Sequence, residues 1–226
     1  MRISIIVPML NEERAIELTI RSIRVGAPDA ELIIVDGGSI DRSIEIARPL
    51  CDLLIESPRG RAKQMNAGAA RASGDVFAFV HADTLVPPTF EADITAALSD
   101  ARTVGGHFSL KLDDANPICG LIGRLISIRS RLTRVATGDQ AIFVRRAVFE
   151  GIGGFADLPL CEDLDFARRL KRAGPVVSVR AHVITSARRW RRGGIVRTIL
   201  KMWTIRALYY AGVPPSRLAE FYSDVR

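Results

Sequence analysis

Asp75-Val76-Phe77-Ala78-Phe79-Val80-His81-Ala82-Asp83-Thr84 is the stretch whose reading decides the fold. Residues 76–80 are all apolar and run directly into a polar cluster that holds a carboxylate. A short apolar run bounded by turn formers has the pattern of a strand buried on both faces. Gly74 precedes it and Pro87-Pro88 follow. Asp83 therefore falls just past the carboxyl end of a buried strand, where open α/β sheets bind their ligands. A carboxylate there can hold a divalent cation through hard oxygen ligands. It can equally be a loop aspartate ahead of a helix from about Pro88, and on this residue alone the two readings stand level.

Upstream, residues 3–7 (Ile-Ser-Ile-Ile-Val) form another apolar run, ended by Pro8. Asn11-Glu12-Glu13 then open a helix to about Val25, with Asn11 expected as its N-cap and the two acids suited to the positive helix start. Residues 31–36 are a second strand ending in Asp36-Gly37-Gly38-Ser39, where the glycines let backbone approach a ligand or take positive φ. Residues 51–56 read as a third strand, and a helix from Gly60 ends near Ser73-Gly74. Strand–helix alternation at this spacing argues for βαβ units and a mainly parallel sheet. Right-handed crossovers would put the four strand ends on one edge, together with residues 8–12, Asp36 and Asp83. Carboxylates gathered in this way repel one another unless a cation or ligand answers them, which marks a functional edge. Neither a G-x-G-x-x-G dinucleotide loop nor a G-x-x-x-x-G-K-[ST] phosphate loop is present.

Downstream, residues 104–112 read as a strand and Asn116-Pro117 start a helix to about Leu132. Thr137-Gly138-Asp139-Gln140 lead into a strand over 141–144, followed by a short helix to Ile152. Glu162-Asp163 open a helix that ends near Gly174. Residues 176–179 and 182–185 read as two short strands. A longer helix from Gly194 to Gly212 is stopped by Pro214-Pro215, and a tail helix follows.

The chain has 226 residues, 48% hydrophobic and 25% charged, a globular balance that excludes intrinsic disorder. Its three cysteines, Cys51, Cys119 and Cys161, have no zinc spacing, so a reduced, cytoplasmic compartment is expected. No apolar run is long enough to cross a membrane. The net charge of +7 suits acidic partners. Arginines cluster at 124, 129, 131 and 134, and again at 188, 189, 191, 192 and 197. In the 194–212 helix Arg206 lies roughly opposite Arg197, so its cations share no clean face.

Several stretches together resemble family 2 glycosyltransferases of the GT-A fold. Residues 3–12 are similar to their opening strand and nucleotide loop, and 33–41 to their second strand, whose Asp meets the base. Gly60, Ala62, Asn66 and Gly68 resemble their third helix. His81-Ala82-Asp83 stands where they carry a D-x-D metal motif. Gly153-Gly154-Phe155 with Glu162-Asp163 resembles their acceptor-side element, and Ser186-Ala187-Arg188-Arg189-Trp190 partly matches Q-x-x-R-W. The pattern is most similar to the small "transferase 2" group found beside radical SAM and selenium-related domains.

The resemblance implies one GT-A domain over 1–226, a Rossmann-like α/β fold with a mixed, mainly parallel sheet flanked by helices. Residues 1–100 would bind the nucleotide-sugar, 101–192 would hold acceptor and catalysis, and 193–226 would form a helical segment. It implies inverting, non-processive transfer from a nucleotide-diphosphate sugar to a hydroxyl acceptor, lipids among the candidates. Asp163 would be the base, with Glu162 beside it. Pro8, Asn11, Glu12, Asp36, Gly38, Arg61, Asn66, Asp83, Arg189 and Trp190 would bind the donor. Asp83 and His81 would hold a divalent cation, Mn²⁺ or Mg²⁺. His81 replaces a charged ligand with a switchable one, and Ser186 replaces the Gln that marks processive synthases. No nucleic acid is expected, and contact with the inner face of a membrane would be transient. Two rival readings stay open: a nucleotide-sugar binder weak in catalysis, favoured by His81, and a basic module for membrane surfaces or nucleic acid, favoured by the arginines.

Overall fold

The computed structural model describes residues 1–222, apart from the side chains of Arg189, Arg192, Phe221 and Tyr222. In chain order it contains β1 (Ile3–Met9), α1 (Ile16–Gly26), β2 (Glu31–Asp36), α2 (Ser43–Ala47), β3 (Leu53–Glu56), α3 (Arg61–Arg71), β4 (Val76–Phe79), β5 (Thr84–Leu85) and α4 (Phe90–Ala97). There follow β6 (Gly105–Asp113), α5 (Pro117–Thr133), β7 (Ile142–Arg145), α6 (Arg146–Gly151), α7 (Glu162–Ala173), β8 (Val176–Ser186), α8 (Arg188–Gly193), α9 (Ile195–Tyr210) and α10 (Pro215–Tyr222). The strands form one eight-stranded sheet in the order β3-β2-β1-β4-β7-β6-β8-β5. The first four strands are parallel, and β7 runs against both of its neighbours. Among the described residues no helix is long and apolar enough to cross a membrane.

The opening stretch sits at the centre of this sheet. β4 pairs with β1 on one side and β7 on the other, so both of its faces must be covered. Side chains alternate across a strand. Val76, Ala78 and Val80 accordingly enter one core cluster, and Phe77 and Phe79 enter the other. Phe79 meets Phe155 edge-on with ring centroids 4.8 Å apart, and Phe155 stacks on Phe166 of α7 at 4.2 Å. Burial of each ring contributes roughly 1.5–3 kcal/mol. This aromatic layer fixes the acid-bearing helix α7 to β4, the strand that leads to Asp83.

On the same face α3 lies tight against the sheet. A Cβ on Gly68 would come within 2.5 Å of Ile6 and 3.0 Å of Val35, so only glycine permits this approach. Gln64 then reaches under the site, donating to the carbonyls of Met9 and Val35, each at 2.8 Å.

Three local expectations are corrected and one strand is added. Asn11 does not cap α1, which starts only at Ile16 after an uncapped Ala15. Asn11 instead takes a left-handed φ of 54°, and its side chain accepts from the Ile40 N–H. The third strand is shorter than expected because residues 48–50 make a 3-10 turn ahead of it. The two short strands after α7 are one strand, β8, interrupted in its pairing with β6. Phe108 pairs with Val179 and Ser109 with His182, so Arg180 and Ala181 form a bulge. Finally, β5 follows immediately after Asp83 and pairs with Ile184 and Thr185 of β8.

Candidate active site

β5 explains how distant parts of the chain meet. The His81–Asp83 turn is held on one side by Thr19 of α1, whose hydroxyl donates to the Ala82 carbonyl at 2.9 Å. On the other side the Asp83 carbonyl accepts from Ser186 N at 3.2 Å, and the buried Thr84 hydroxyl bonds that of Thr185 at 3.0 Å. Ser186 also accepts from Arg188 N at 3.2 Å, which turns β8 into α8. Arg188 is thereby delivered to the sheet edge.

Its guanidinium Nη2 lies 2.8 Å from both carboxylate oxygens of Glu12 and 3.3 Å from Oδ2 of Asp83. The expected gathering of carboxylates is thus answered by a cation of the protein itself. Burial pushes the Glu12 carboxyl above its usual range; the Arg188 hydrogen bond opposes that rise, and the Asp83 charge adds to it. Arg188 is correspondingly held above the usual arginine value by its bond to Glu12. Arg61 at the start of α3 lies within electrostatic reach of Glu12.

The loops that follow β1 and β2 are latched to each other. Asp36 is buried, and its carboxylate accepts from the N–H groups of Gly38 at 2.8 Å and Ser39 at 2.9 Å. Gly38 sits at φ +92 with open space beside it. The Ser39 hydroxyl accepts from Asn11 N at 2.9 Å, and that of Ser43 accepts from Glu12 N at 2.7 Å. Pro8 pairs with Val35 where β1 and β2 end.

Asp163 is positioned by a separate device. Gln140, fully buried, donates to the Phe108 carbonyl and the Ser130 hydroxyl, and accepts from Thr137 N. This pins the Thr137–Gln140 turn onto β6 and α5. The Gly138 N–H then donates to Asp163 Oδ2 at 2.7 Å, and Leu164 N donates to Oδ1 at 2.7 Å. A Cβ on Gly138 would stand 2.8 Å from His81 Nε2 and 3.6 Å from the Asp163 side chain. Gly138 therefore lies between the His81–Asp83 turn and Asp163. Glu162 is buried beside it, at the first turn of α7. Burial pushes the neighbouring Cys161 thiol up to about 12, helped by the Asp163 and Glu162 charges, which makes it inert as a nucleophile.

Two of the residues expected at the donor are engaged within the protein. Both polar atoms of the Asn66 amide are engaged by Phe155, Nδ2 to its carbonyl at 2.8 Å and Oδ1 to its N–H at 2.9 Å. Trp190 is buried in the main cluster, against which Ile195 and Ile199 pack. The Arg189 side chain lies outside the described residues. Sequence reasoning passed over three charged groups here. Arg188 was visible only as one of an arginine pair. Asp139 has a buried Oδ1 without a hydrogen-bond partner. Arg129 of α5 buries Nε and Nη2, also without partners, and burial followed by the nearby Arg206 brings its pKa down to about 10. Asp139 and Asp163 both lie within electrostatic reach of Arg129.

Among the described residues no three His, Cys, Asp or Glu side chains form a metal cage. The donor set fits a cation shared with a ligand. Mg²⁺-type ions take one or two carboxylates and complete their shell with water and phosphate oxygens, and Asp83 with His81 offers that much.

Residues 4–118 match the sequence model described as Glycosyl transferase family 2. A PGL/p-HBAD biosynthesis glycosyltransferase of Mycobacterium tuberculosis is 30% identical over 210 residues, covering 87% of this chain and 80% of that protein. Among solved structures, S. aureus TarS 1-349 in complex with UDP superposes with a TM-score of 0.68 at 20% identity, covering 82% of this chain and 60% of that one. The mannosyltransferase PcManGT from Pyrobaculum calidifontis, in complex with GDP-Man and Mn²⁺, gives 0.65 at 19%, covering 81% and 56%. The chain thus spans less than two thirds of either solved chain, and at these identities the likeness shows the fold, which is GT-A.

Proposed function

The chain belongs to glycosyl transferase family 2, and on that premise we propose that it moves a sugar from a nucleotide-diphosphate donor to a hydroxyl acceptor by a single inverting, non-processive displacement. The observation that carries this reading is the convergence of Asp163, Gly138, His81, Asp83 and Arg188 at the end of β4.

In this reading the base and ribose lie over the latched loops that carry Pro8, Asn11, Glu12, Asp36 and Gly38. Asn11 and Asp36 hold the shape of these loops and leave the rim to the nucleotide. Arg61 and Arg188 supply positive charge to the diphosphate, and a guanidinium suits bidentate phosphate contact. Arg188 thus joins Arg189, expected at the donor from the sequence, as a phosphate contact. Asn66 and Trp190 act as positioning residues, through the Phe155 backbone and the core beneath α8. Asp83, with His81, would hold a divalent cation; when bound, such a cation neutralises the leaving diphosphate as a Lewis acid.

Asp163 removes the proton from the acceptor hydroxyl as its oxygen attacks the anomeric carbon from the side opposite the diphosphate. The two backbone N–H groups on its carboxylate orient it, and Glu162 steadies the first turn of α7. The acceptor is a hydroxyl compound, lipids among the candidates, met on the cytoplasmic side with peripheral contact to the membrane.

Asp163→Asn tests the assignment. Transfer should fall by about 10²–10⁴-fold, the usual contribution of a general base, while UDP or GDP still raises the melting temperature. Because the Asn amide turns an N–H towards one of its two backbone donors, the melt without ligand is measured alongside. Loss of nucleotide binding in a folded variant would remove Asp163 from the role of base.

A further inference from the structure

A globular helix ordinarily turns its apolar stripe inwards and its charges outwards. Two helices here carry a second apolar stripe on the solvent side. On α5, Ile118, Leu121, Leu125, Ile128 and Leu132 are each more than half exposed, three or four residues apart. The opposite side of the same helix, with Cys119, Ile122 and the partly buried Ile126, packs into the core. On α9, Val196, Leu200, Trp203 and Tyr210 are likewise more than half exposed, while Ile195, Ile199 and Met202 pack against the same cluster. Arg129 of α5 lies within electrostatic reach of Arg206 and Tyr210 of α9, so the two helices are neighbours.

The charge on these helices has one sign. α5 carries Arg124, Arg129 and Arg131, α9 carries Arg197, Lys201 and Arg206, and neither contains an Asp or Glu. At about 3.6 residues per turn, Arg124 and Arg131 border the outer stripe of α5, and Arg197 borders that of α9. Apolar stripes edged by cations match a bilayer interface, where side chains such as Leu, Ile and Trp enter the headgroup boundary and Lys and Arg meet anionic lipid.

We propose that the outer faces of α5 and α9 form a docking surface for an anionic lipid bilayer. The inference deepens the peripheral-membrane reading above, and its test does not depend on sugar transfer. Charge decides among occupants. A second copy of this chain, meeting the same face across a two-fold axis, would set cations against cations. Nucleic acid would answer the cations and leave the leucines and Trp203 exposed to water. An anionic bilayer answers both. The surface lies on the acceptor side of the molecule, since Arg129 feels the charge of Asp163; a membrane-borne hydroxyl would meet the base without the protein leaving the surface.

Flotation of the protein with vesicles tests this directly. The protein should float with phosphatidylcholine vesicles containing phosphatidylglycerol and stay behind with phosphatidylcholine alone. Leu125→Glu with Leu200→Glu and Trp203→Glu should weaken vesicle binding by about tenfold or more, because both apolar stripes are interrupted. Arg124→Gln with Arg131→Gln should weaken it by roughly fivefold per cation. Both variants should keep the wild-type melting temperature and the wild-type shift on adding UDP or GDP with Mn²⁺, which keeps this test separate from that of the donor site. Binding independent of lipid charge, binding unchanged in either folded variant, or a wild-type dimer that the glutamate variant converts to monomer would each overturn the proposal.

Discussion

Nη2 of Arg188 lies 3.3 Å from Oδ2 of Asp83, a contact across 105 residues that sets a protein cation beside the carboxylate proposed to ligate a metal. The same nitrogen bonds both oxygens of Glu12. In the proposed reading a bound cation would add positive charge at the same point, and the guanidinium would turn from the carboxylates to the donor phosphates.

Arg188→Met separates the two sources. Without divalent cation, Glu12 and Asp83 lose their shared partner, and the fold should lose about 1 kcal/mol, a surface-pair value because Arg188 is partly exposed. Added Mn²⁺ should then raise the melting temperature of the variant more than that of the wild type, and donor affinity should fall. Equal Mn²⁺ responses in the two proteins would mean that Arg188 and the cation do not share Asp83.

Gly138→Ala tests the junction between the two halves of the site. The added methyl would press on His81 Nε2 at 2.8 Å, so either the imidazole or the Gly138 N–H that holds Asp163 must move. A displacement of about 1 Å in a catalytic group can cost about 10²-fold in rate. Transfer should fall by that order with the melting temperature nearly unchanged, and steady-state kinetics should show the loss in kcat. An unaffected kcat would separate the Thr137–Gln140 turn from catalysis.

Asn66→Ala distinguishes a clamp from a donor contact. It leaves the N–H and carbonyl of Phe155 without their side-chain partner, at a cost of roughly 1–3 kcal/mol for each group that water does not reach. Chemical denaturation should show this loss, while nucleotide affinity, measured below the shifted midpoint, stays within a few-fold of wild type. A large loss of affinity at unchanged stability would return Asn66 to direct donor binding.

The sheet was legible in the sequence because its central strand is apolar on every residue, a pattern that only burial on both faces explains. Interactions that cross the chain were less so. Asn11 has the side chain of an N-cap, but its partner, Ile40 N–H, is 29 residues away and no local preference points to it. The Arg188-Arg189 pair carries no indication of helical phase; that is set by β5 pairing with β8. Arg180 and Ala181 read as a break between strands because a bulge has no apolar signature. Trp190 has the composition of a ligand platform and the environment of a core residue, and only packing distinguishes the two. Asp83 stands out by its place just past a strand end, whereas Asp163 at a helix start reads as an ordinary acidic first turn and stands out only through the resemblance to family 2; Arg129 has the look of one more surface arginine.

Arg129→Met probes that guanidinium. Its buried Nε and Nη2 donors lack partners, and its charge is disfavoured first by burial and then by Arg206. Replacing a buried, unsatisfied donor by an apolar side chain of similar length should stabilise the fold by about 1–3 kcal/mol. The same change removes positive charge beside Asp163, and transfer should fall. A variant that melts higher and works more slowly would assign the arrangement to function; one unchanged in both would show that water satisfies the guanidinium.

His107 provides a pH test of the fold that is independent of substrate. It lies buried on β6 with both ring nitrogens unpartnered, and burial, with the Arg129 charge, brings its pKa down to about 4 from the ordinary 6.5. The unfolded chain therefore takes up a proton near pH 6.5, whereas the folded chain resists it until about pH 4. Protonation favours the unfolded state throughout that window, so stability is lost as the pH falls through it and is fully present above 6.5. The separation of the two values corresponds to roughly 3 kcal/mol. His107→Leu should remove this slope, while the carboxylates, common to both proteins, cancel in the difference. Urea denaturation of wild type and variant at several pH values between 7 and 4 measures it. The two stability curves should diverge as the pH falls, with the variant the more stable in acid; parallel curves would mean that His107 is protonated, or solvated, in the folded protein.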